Sequence, residues 1–273
     1  MGELKRFSRQ APLSSHDLLG RYSTRREFIA QLAVGAIGAA CSPKSAGANH
    51  NVGPARLTAR IAAPTQVLQP GQHELPIAAS RNGWIYVPRS YQASRPAPLV
   101  LLLHGAGGSS RNRWFGAIDA RAESLGTIIL APESRDATWD AIRGDFGRDV
   151  PFVDSALRFT FEHCAINPSR VAIAGFSDGA SYALSLGLAN GDLFTHVMAF
   201  SPGFIREQDP VGKPRIFVSH GRSDPILPIG VTSRALVPPL RRKSYAVEYV
   251  EFDGEHEVPA AISAQGMDWF LKT

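Results

Sequence analysis

From Pro98 onward the chain alternates between short unbroken apolar runs and longer stretches of mixed polarity. The runs fall at 99–103, 127–131, 171–174, 196–200 and 215–219, with a last one at 246–252. A run with no polar alternation suits a strand covered by helices on both faces. The intervening stretches, near 111–124, 150–163, 177–189, 229–240 and 258–271, carry helical periodicity. Ahead of them, 73–78 and 84–88 alternate apolar and polar residues around Arg81-Asn82-Gly83, which predicts an antiparallel hairpin at a sheet edge. No internal repeat is present. Strands that alternate with helices predict an α/β architecture with a mostly parallel central sheet flanked by helices.

The 273 residues, 44% of them hydrophobic, suffice for one full core and a leader. From Ser42 to about Gln72 the chain is rich in Ala, Pro, Gly and Asn without a sustained period. This divides the sequence into a leader at 1–48, a linker or loosely attached arm at 49–72 and a folded domain at 73–273. Seven Lys and Arg against three acids in 1–48 carry most of the net charge of +5, so the basic balance gives no argument for nucleic-acid binding. The leader itself looks like a twin-arginine export signal. Arg25-Arg26 is followed by Phe28 and by an Ala- and Gly-rich run at 30–40 that is too short to span a bilayer. Ala46-Gly47-Ala48 fits a cleavage site. Gly38-Ala39-Ala40-Cys41 resembles a lipoprotein box, with Gly38 where a branched apolar residue is usual, so lipidation at Cys41 stays open. The expected location is periplasmic or secreted. Two cysteines, Cys41 and Cys164, allow no disulfide framework and no Cys-rich metal site.

The chemistry concentrates where apolar runs end. Gly175-Phe176-Ser177-Asp178-Gly179 is a G-x-S-x-G pattern between a strand and a helix, a setting that forces the serine into a sharp turn and exposes its hydroxyl. In parallel α/β sheets function collects in the loops after strand carboxyl ends. The loops after the next two such strands supply Asp224, in His220-Gly221-Arg222-Ser223-Asp224-Pro225, and His256, in Asp253-Gly254-Glu255-His256. Serine, acid and histidine in that chain order fit a nucleophile, an orienting carboxylate and a base. Asp253 competes for the acid role, but it lies in the same loop as His256, and a carboxylate from a separate loop reaches behind the ring more easily. The glycine-rich 104–110 loop, His104-Gly105-Ala106-Gly107-Gly108-Ser109-Ser110, suits an oxyanion hole built from the backbone N–H groups of Ala106 and Asp178. It lacks the endings of a P-loop or a dinucleotide loop. His104 and His220 are expected to serve structural hydrogen bonds, Asp149 to cap a helix, and Trp114 and Trp139 to pack or to line a groove.

Leu-His-Gly-Ala-Gly-Gly-Ser, Gly-Phe-Ser-Asp-Gly, His-Gly-Arg-Ser-Asp-Pro-Ile-Leu-Pro and Gly-Glu-His-Glu-Val together resemble the α/β-hydrolase superfamily. Within it, they are similar to the phospholipase/carboxylesterase and polyhydroxybutyrate-depolymerase-like serine esterases, over about Gly83 to Leu271. The resemblance implies an α/β-hydrolase fold at 73–273 and a triad of Ser177, Asp224 and His256. It favours Asp224, whose Asp-Pro-x-x-Pro segment carries the acid in such esterases. Asp178 departs from the Gln or small residue usual after the nucleophile. Only 202–214 separates two core strands, which leaves no room for a large lid. The expected activity is cleavage of a small carboxylic ester through an acyl-enzyme, with no metal or organic cofactor. A thioesterase or peptidase on the same triad, or a non-catalytic binding protein on the same fold, are the alternatives.

Overall fold

The computed structural model describes residues 55–110, 116–206 and 208–272, all within the compact unit Lys44–Thr273. The leader, with Arg25, Arg26, Cys41 and the 46–48 segment, lies outside the described residues, as does Trp114. Eight strands form one sheet: β1 (Gly71–Glu74), β2 (Gly83–Val87), β3 (Ala97–Leu103), β4 (Ile128–Pro132), β5 (Ile166–Phe176), β6 (His196–Phe200), β7 (Arg215–Gly221) and β8 (Val247–Phe252). Their spatial order is β1-β2-β4-β3-β5-β6-β7-β8. β2 pairs antiparallel with β1 and β4, and every pair from β4 to β8 is parallel.

Alternate residues of the buried strands feed two separate cores. Leu99, Leu101 and Leu103 of β3 and Ile173 of β5 face one side, where α2 (Asp140–Arg143), α3 (Asp149–His163), α4 (Asp178–Ala189) and α5 (Ser233–Arg242) pack. Val100, Leu102, Ala172 and Ala174 face the other, against Ile118 and Ala122 of α1 (Gly116–Leu125) and Ile262, Met267 and Phe270 of α6 (Ala260–Lys272). This is the three-layer α/β-hydrolase architecture. α4 is buried along its whole length, its Ala-, Leu- and Gly-rich sequence packing into the core between the sheet and the other elements of that layer. The β6–β7 connection at 201–214 holds no helix among its described residues, so no large lid stands there.

Several boundaries differ from the sequence reading. The last-but-one helix begins at Ser233 rather than 229, since 228–231 turns first, with the Val231 N–H donating to the Pro228 carbonyl at 3.1 Å. The four-residue α2 was too short to show a helical period.

The segment expected to be a linker is in part built into the domain. Ala55, Leu57 and Ala59 are buried against the α3/α4 side of the sheet. Leu57 N–H donates to Asn190 Oδ1 at 2.8 Å, and Asn190 Nδ2 donates to the Ala55 carbonyl at 2.7 Å. The Asp154 carboxylate accepts the N–H groups of Thr58 (2.6 Å) and Ala59 (2.7 Å) and the Thr58 hydroxyl (2.7 Å). Composition concealed this strap because its anchoring partners are single polar side chains on distant helices.

Candidate active site

β5 ends at Phe176, and Ser177 adopts φ 57° and ψ −119° before α4 begins. Such a conformation costs a non-glycine residue about 1–3 kcal/mol and persists only where its surroundings fix it. Here the Ser177 N–H donates to the Phe200 carbonyl (2.9 Å), and the Ser177 carbonyl accepts from Ala180 (3.0 Å) and Ser181 (3.1 Å). The flanking glycines are required by close approach. A Cβ on Gly175 would lie 2.2 Å from the Gly179 carbonyl oxygen, and one on Gly179 would lie 2.4 Å from that of Leu103.

Two other strand ends converge on the serine. Parallel pairing of β7 with β8 runs to Gly221↔Phe252 and continues as the Arg222 N–H to the Phe252 carbonyl (2.9 Å) and the Ser223 N–H to the Gly254 carbonyl (3.0 Å). The loops bearing Asp224 and His256 are thereby zipped side by side. His256 Nε2 stands 2.9 Å from Ser177 Oγ, and its Nδ1 stands 2.6 Å from Asp224 Oδ2. With a carboxylate against Nδ1, that nitrogen carries the proton, and Nε2 is left to accept from the serine hydroxyl. The ring lies against Phe176, centroids 4.8 Å apart.

The Asp224 carboxylate has no solvent exposure and four donors. Oδ1 accepts the N–H groups of Ile226 and Leu227, each at 2.8 Å, in the turn that Pro225 helps shape. Oδ2 accepts from His256 and lies 3.1 Å from His220 Nε2. Burial alone would raise its pKa. The hydrogen bonds from His220 and His256 outweigh that and hold the carboxyl well below the usual range, so it stays ionised. Asp253, the competing acid, is 90% exposed and pairs with Arg222 at 2.6 Å, away from the imidazole.

The 104–110 loop leaves β3 beside the serine, where a Cβ on Gly105 would touch Ser177 Cβ at 3.4 Å. Its shape is held by the Gly107 N–H on the Ala137 carbonyl (2.8 Å) and the Gly108 N–H on the Gly105 carbonyl (3.1 Å). Among the described residues the backbone N–H groups of Ala106 and Asp178 have no acceptor. His104 fixes the loop from beneath. Its Nε2 accepts the Ser134 N–H (3.1 Å), so its Nδ1 carries the proton and donates to the Gly105 carbonyl (2.8 Å). Burial lowers its pKa further, in keeping with a neutral ring.

A serine at a strand-to-helix elbow is thus hydrogen-bonded to a histidine and through it to a buried carboxylate. Residues 145–264 match the family model described as Phospholipase/Carboxylesterase, a span that contains Ser177, Asp224 and His256. Over that span the chain is similar to the phospholipase/carboxylesterase family. Among curated relatives, "Probable feruloyl esterase C" of Aspergillus oryzae is 32% identical over 157 residues, covering 54% of this chain and 56% of the relative. "Feruloyl esterase C" of Emericella nidulans is 31% identical over 165 residues, covering 55% and 59%. The chain thus spans a little over half the length of these relatives. Among solved structures, a thermostable esterase superposes with a TM-score of 0.58 at 21% identity, over 69% of this chain and 58% of that one. Esterase PE8 gives 0.54 at 19% identity, over 76% and 99%. These likenesses speak for the α/β-hydrolase fold.

Other residues around the site fall into supporting places. The Asp178 side chain turns away from the serine and accepts the Thr138 hydroxyl at 2.6 Å, and burial pushes its pKa up. It therefore ties the 133–140 loop to the elbow, a link no local sequence signal announces. Trp139 is fully buried, donates its indole N–H to the His104 carbonyl (2.8 Å) and stacks on Tyr182, which makes it packing rather than groove lining. Asp149 does not cap its own helix. Its carboxylate accepts the N–H groups of Arg135 (2.6 Å) and Asp140 (2.7 Å). Cys164 is buried, with its thiol pushed up to about 12, and cannot serve as a nucleophile. Among the described residues no cluster of His, Cys, Asp and Glu could hold a metal ion, and no helix is long and apolar enough to cross a membrane.

Proposed function

We propose that this chain is an exported serine hydrolase that cleaves small carboxylic esters through an acyl-enzyme on Ser177. The observation that carries the reading is the unbroken chain from Ser177 Oγ to His256 (2.9 Å) to Asp224 (2.6 Å). Ser177 Oγ attacks the ester carbon while His256 Nε2 takes the hydroxyl proton, and Asp224 stabilises the imidazolium that forms. The carbonyl oxygen, now an oxyanion, receives the N–H groups of Ala106 and Asp178, each donor being worth about 10²–10³ in rate. His256 passes the proton to the departing alcohol. It then removes one from water, which attacks the acyl carbon and frees Ser177.

The family and the relatives named feruloyl esterase support an ester as the bond cleaved and make feruloyl esters the first acyl class to examine. Export rests on Arg25-Arg26 and the apolar run after it.

The test is labelling with a fluorophosphonate together with turnover of matched ester, thioester and amide substrates. Wild-type protein should be labelled at Ser177 and should turn over the ester fastest. Ser177→Ala should lose labelling and at least about 10³-fold in kcat while unfolding at the wild-type temperature. A preference for the amide or thioester would overturn the esterase reading. Undiminished secretion after Arg25 and Arg26 are both changed to Lys would overturn export by this route.

A further inference from the structure

We infer that His220 is a positioning residue that sets the basicity of the catalytic pair by donating a second imidazole N–H to the Asp224 oxygen that receives His256. The inference rests on the triad reading above and adds a fourth member to it.

His220 is the penultimate residue of β7 and is fully buried. Its Nε2 faces two groups, the Leu227 carbonyl at 2.8 Å and Asp224 Oδ2 at 3.1 Å. Both only accept, so Nε2 carries a proton shared between them. Its Nδ1 meets the Ser233 hydroxyl at 2.7 Å, at the first residue of α5. The titratable groups facing the ring are Asp224 and, across it, His256. The ring is thus held at both nitrogens, with its Nε2–H set between the Leu227 carbonyl and the Asp224 carboxylate.

The consequence is electrostatic. Oδ1 is already committed to two backbone N–H groups, so the charge that would stabilise a His256 imidazolium resides mainly on Oδ2. A second donor on Oδ2 draws off part of that charge and fixes the oxygen in place. Without it, Oδ2 binds His256 more strongly but less well aligned. A positioning residue of this kind affects the transition state rather than substrate binding.

Two substitutions separate the donor from the packing. In His220→Gln the side-chain amide reaches the place of Nε2 and keeps the donation to Asp224. In His220→Asn the amide reaches only the place of Nδ1, keeping Ser233 company and leaving Asp224 without its second donor. Both are polar and of similar bulk. The expected result is that His220→Asn lowers kcat about tenfold or more with KM nearly unchanged. It should also move the acid limb of the kcat/KM profile upward by on the order of half a unit. His220→Gln should restore most of the rate and the wild-type limb. An unmoved acid limb in His220→Asn, or equal profiles for the two variants, overturns the inference. Should neither variant fold, the wild-type protein still decides the matter. The His220 N–H proton resonance should shift at the pH where the His256 resonance shifts, and a His220 signal indifferent to that titration overturns the inference. Failure of wild-type Ser177 to react with a fluorophosphonate is a separate outcome, which removes the triad reading itself.

Discussion

Asp224 does two jobs with one carboxylate. One oxygen holds an Asp-Pro turn through the Ile226 and Leu227 N–H groups, and the other meets His256. In the proposed mechanism, turn former and orienting acid are therefore the same residue. Substitution to Asn leaves the turn acceptor in place but removes the charge that stabilises the imidazolium. Asp224→Asn should lower kcat by about 10³–10⁴ with little change in melting temperature. Asp253→Asn should leave kcat within about twofold, since the exposed Asp253 pairs with Arg222 at the surface. Steady-state kinetics on the two variants checks both. Ser177 and His256 were legible from the sequence because each stands at a strand end in a strongly patterned loop. The contact between His220 and Asp224 was not. A spacing of four residues from the end of a strand into the following loop has no periodic meaning, and only the fold shows the imidazole turned inward.

At the level of the elements, the strands were readable because buried parallel strands hold continuous apolar runs, as β3, β4, β6, β7 and the latter half of β5 do. His196 is a titratable ring at the start of one such run. It lies between Trp269 and Phe270 of α6 with centroids 5.2 and 5.1 Å away. Burial, with smaller contributions from Arg170 and Arg215, lowers its pKa to about 4. The folded state therefore binds this proton less readily than the unfolded chain, whose histidines titrate near 6.5. Stability is full above about pH 6.5 and is lost as pH falls toward 4, by about 3 kcal/mol from this group. His196→Phe should flatten that part of the stability–pH curve, measured by urea unfolding at pH 7 and at pH 4.5. Asp224 acts in the same direction at lower pH. Its carboxyl is held below the usual range, so its contribution is present above about pH 4 and declines as pH falls further.

Across the whole molecule, the least legible feature was the strap at 55–60. Sequence pattern finds elements that bury a repeating face, whereas the strap is held by Asn190 and Asp154, two side chains whose purpose is visible only when α3 and α4 are in place. Asn190 is fully buried, and Asn190→Ala would strand the Leu57 N–H and the Ala55 carbonyl. Each stranded group costs about 1–3 kcal/mol. The melting temperature should fall by about 5–10 °C, with new proteolytic cleavage near 55–61. The surface pairs of Arg56 and Arg60 with Asp192 at 2.8 and 2.9 Å contribute little beside this.

The strap also bears on the order in which the molecule assembles. Leu57 and Asn190 are 133 positions apart, and Thr58 and Asp154 are 96 apart, so these bonds close some of the longest loops in the chain. Contacts of that span are disfavoured until the intervening sheet exists to bring their ends together. Docking of 55–60 is then a late event in folding. Loss of the Asn190 anchor should quicken unfolding far more than it slows refolding, which places the strap outside the folding nucleus and makes it a fastener on the finished body.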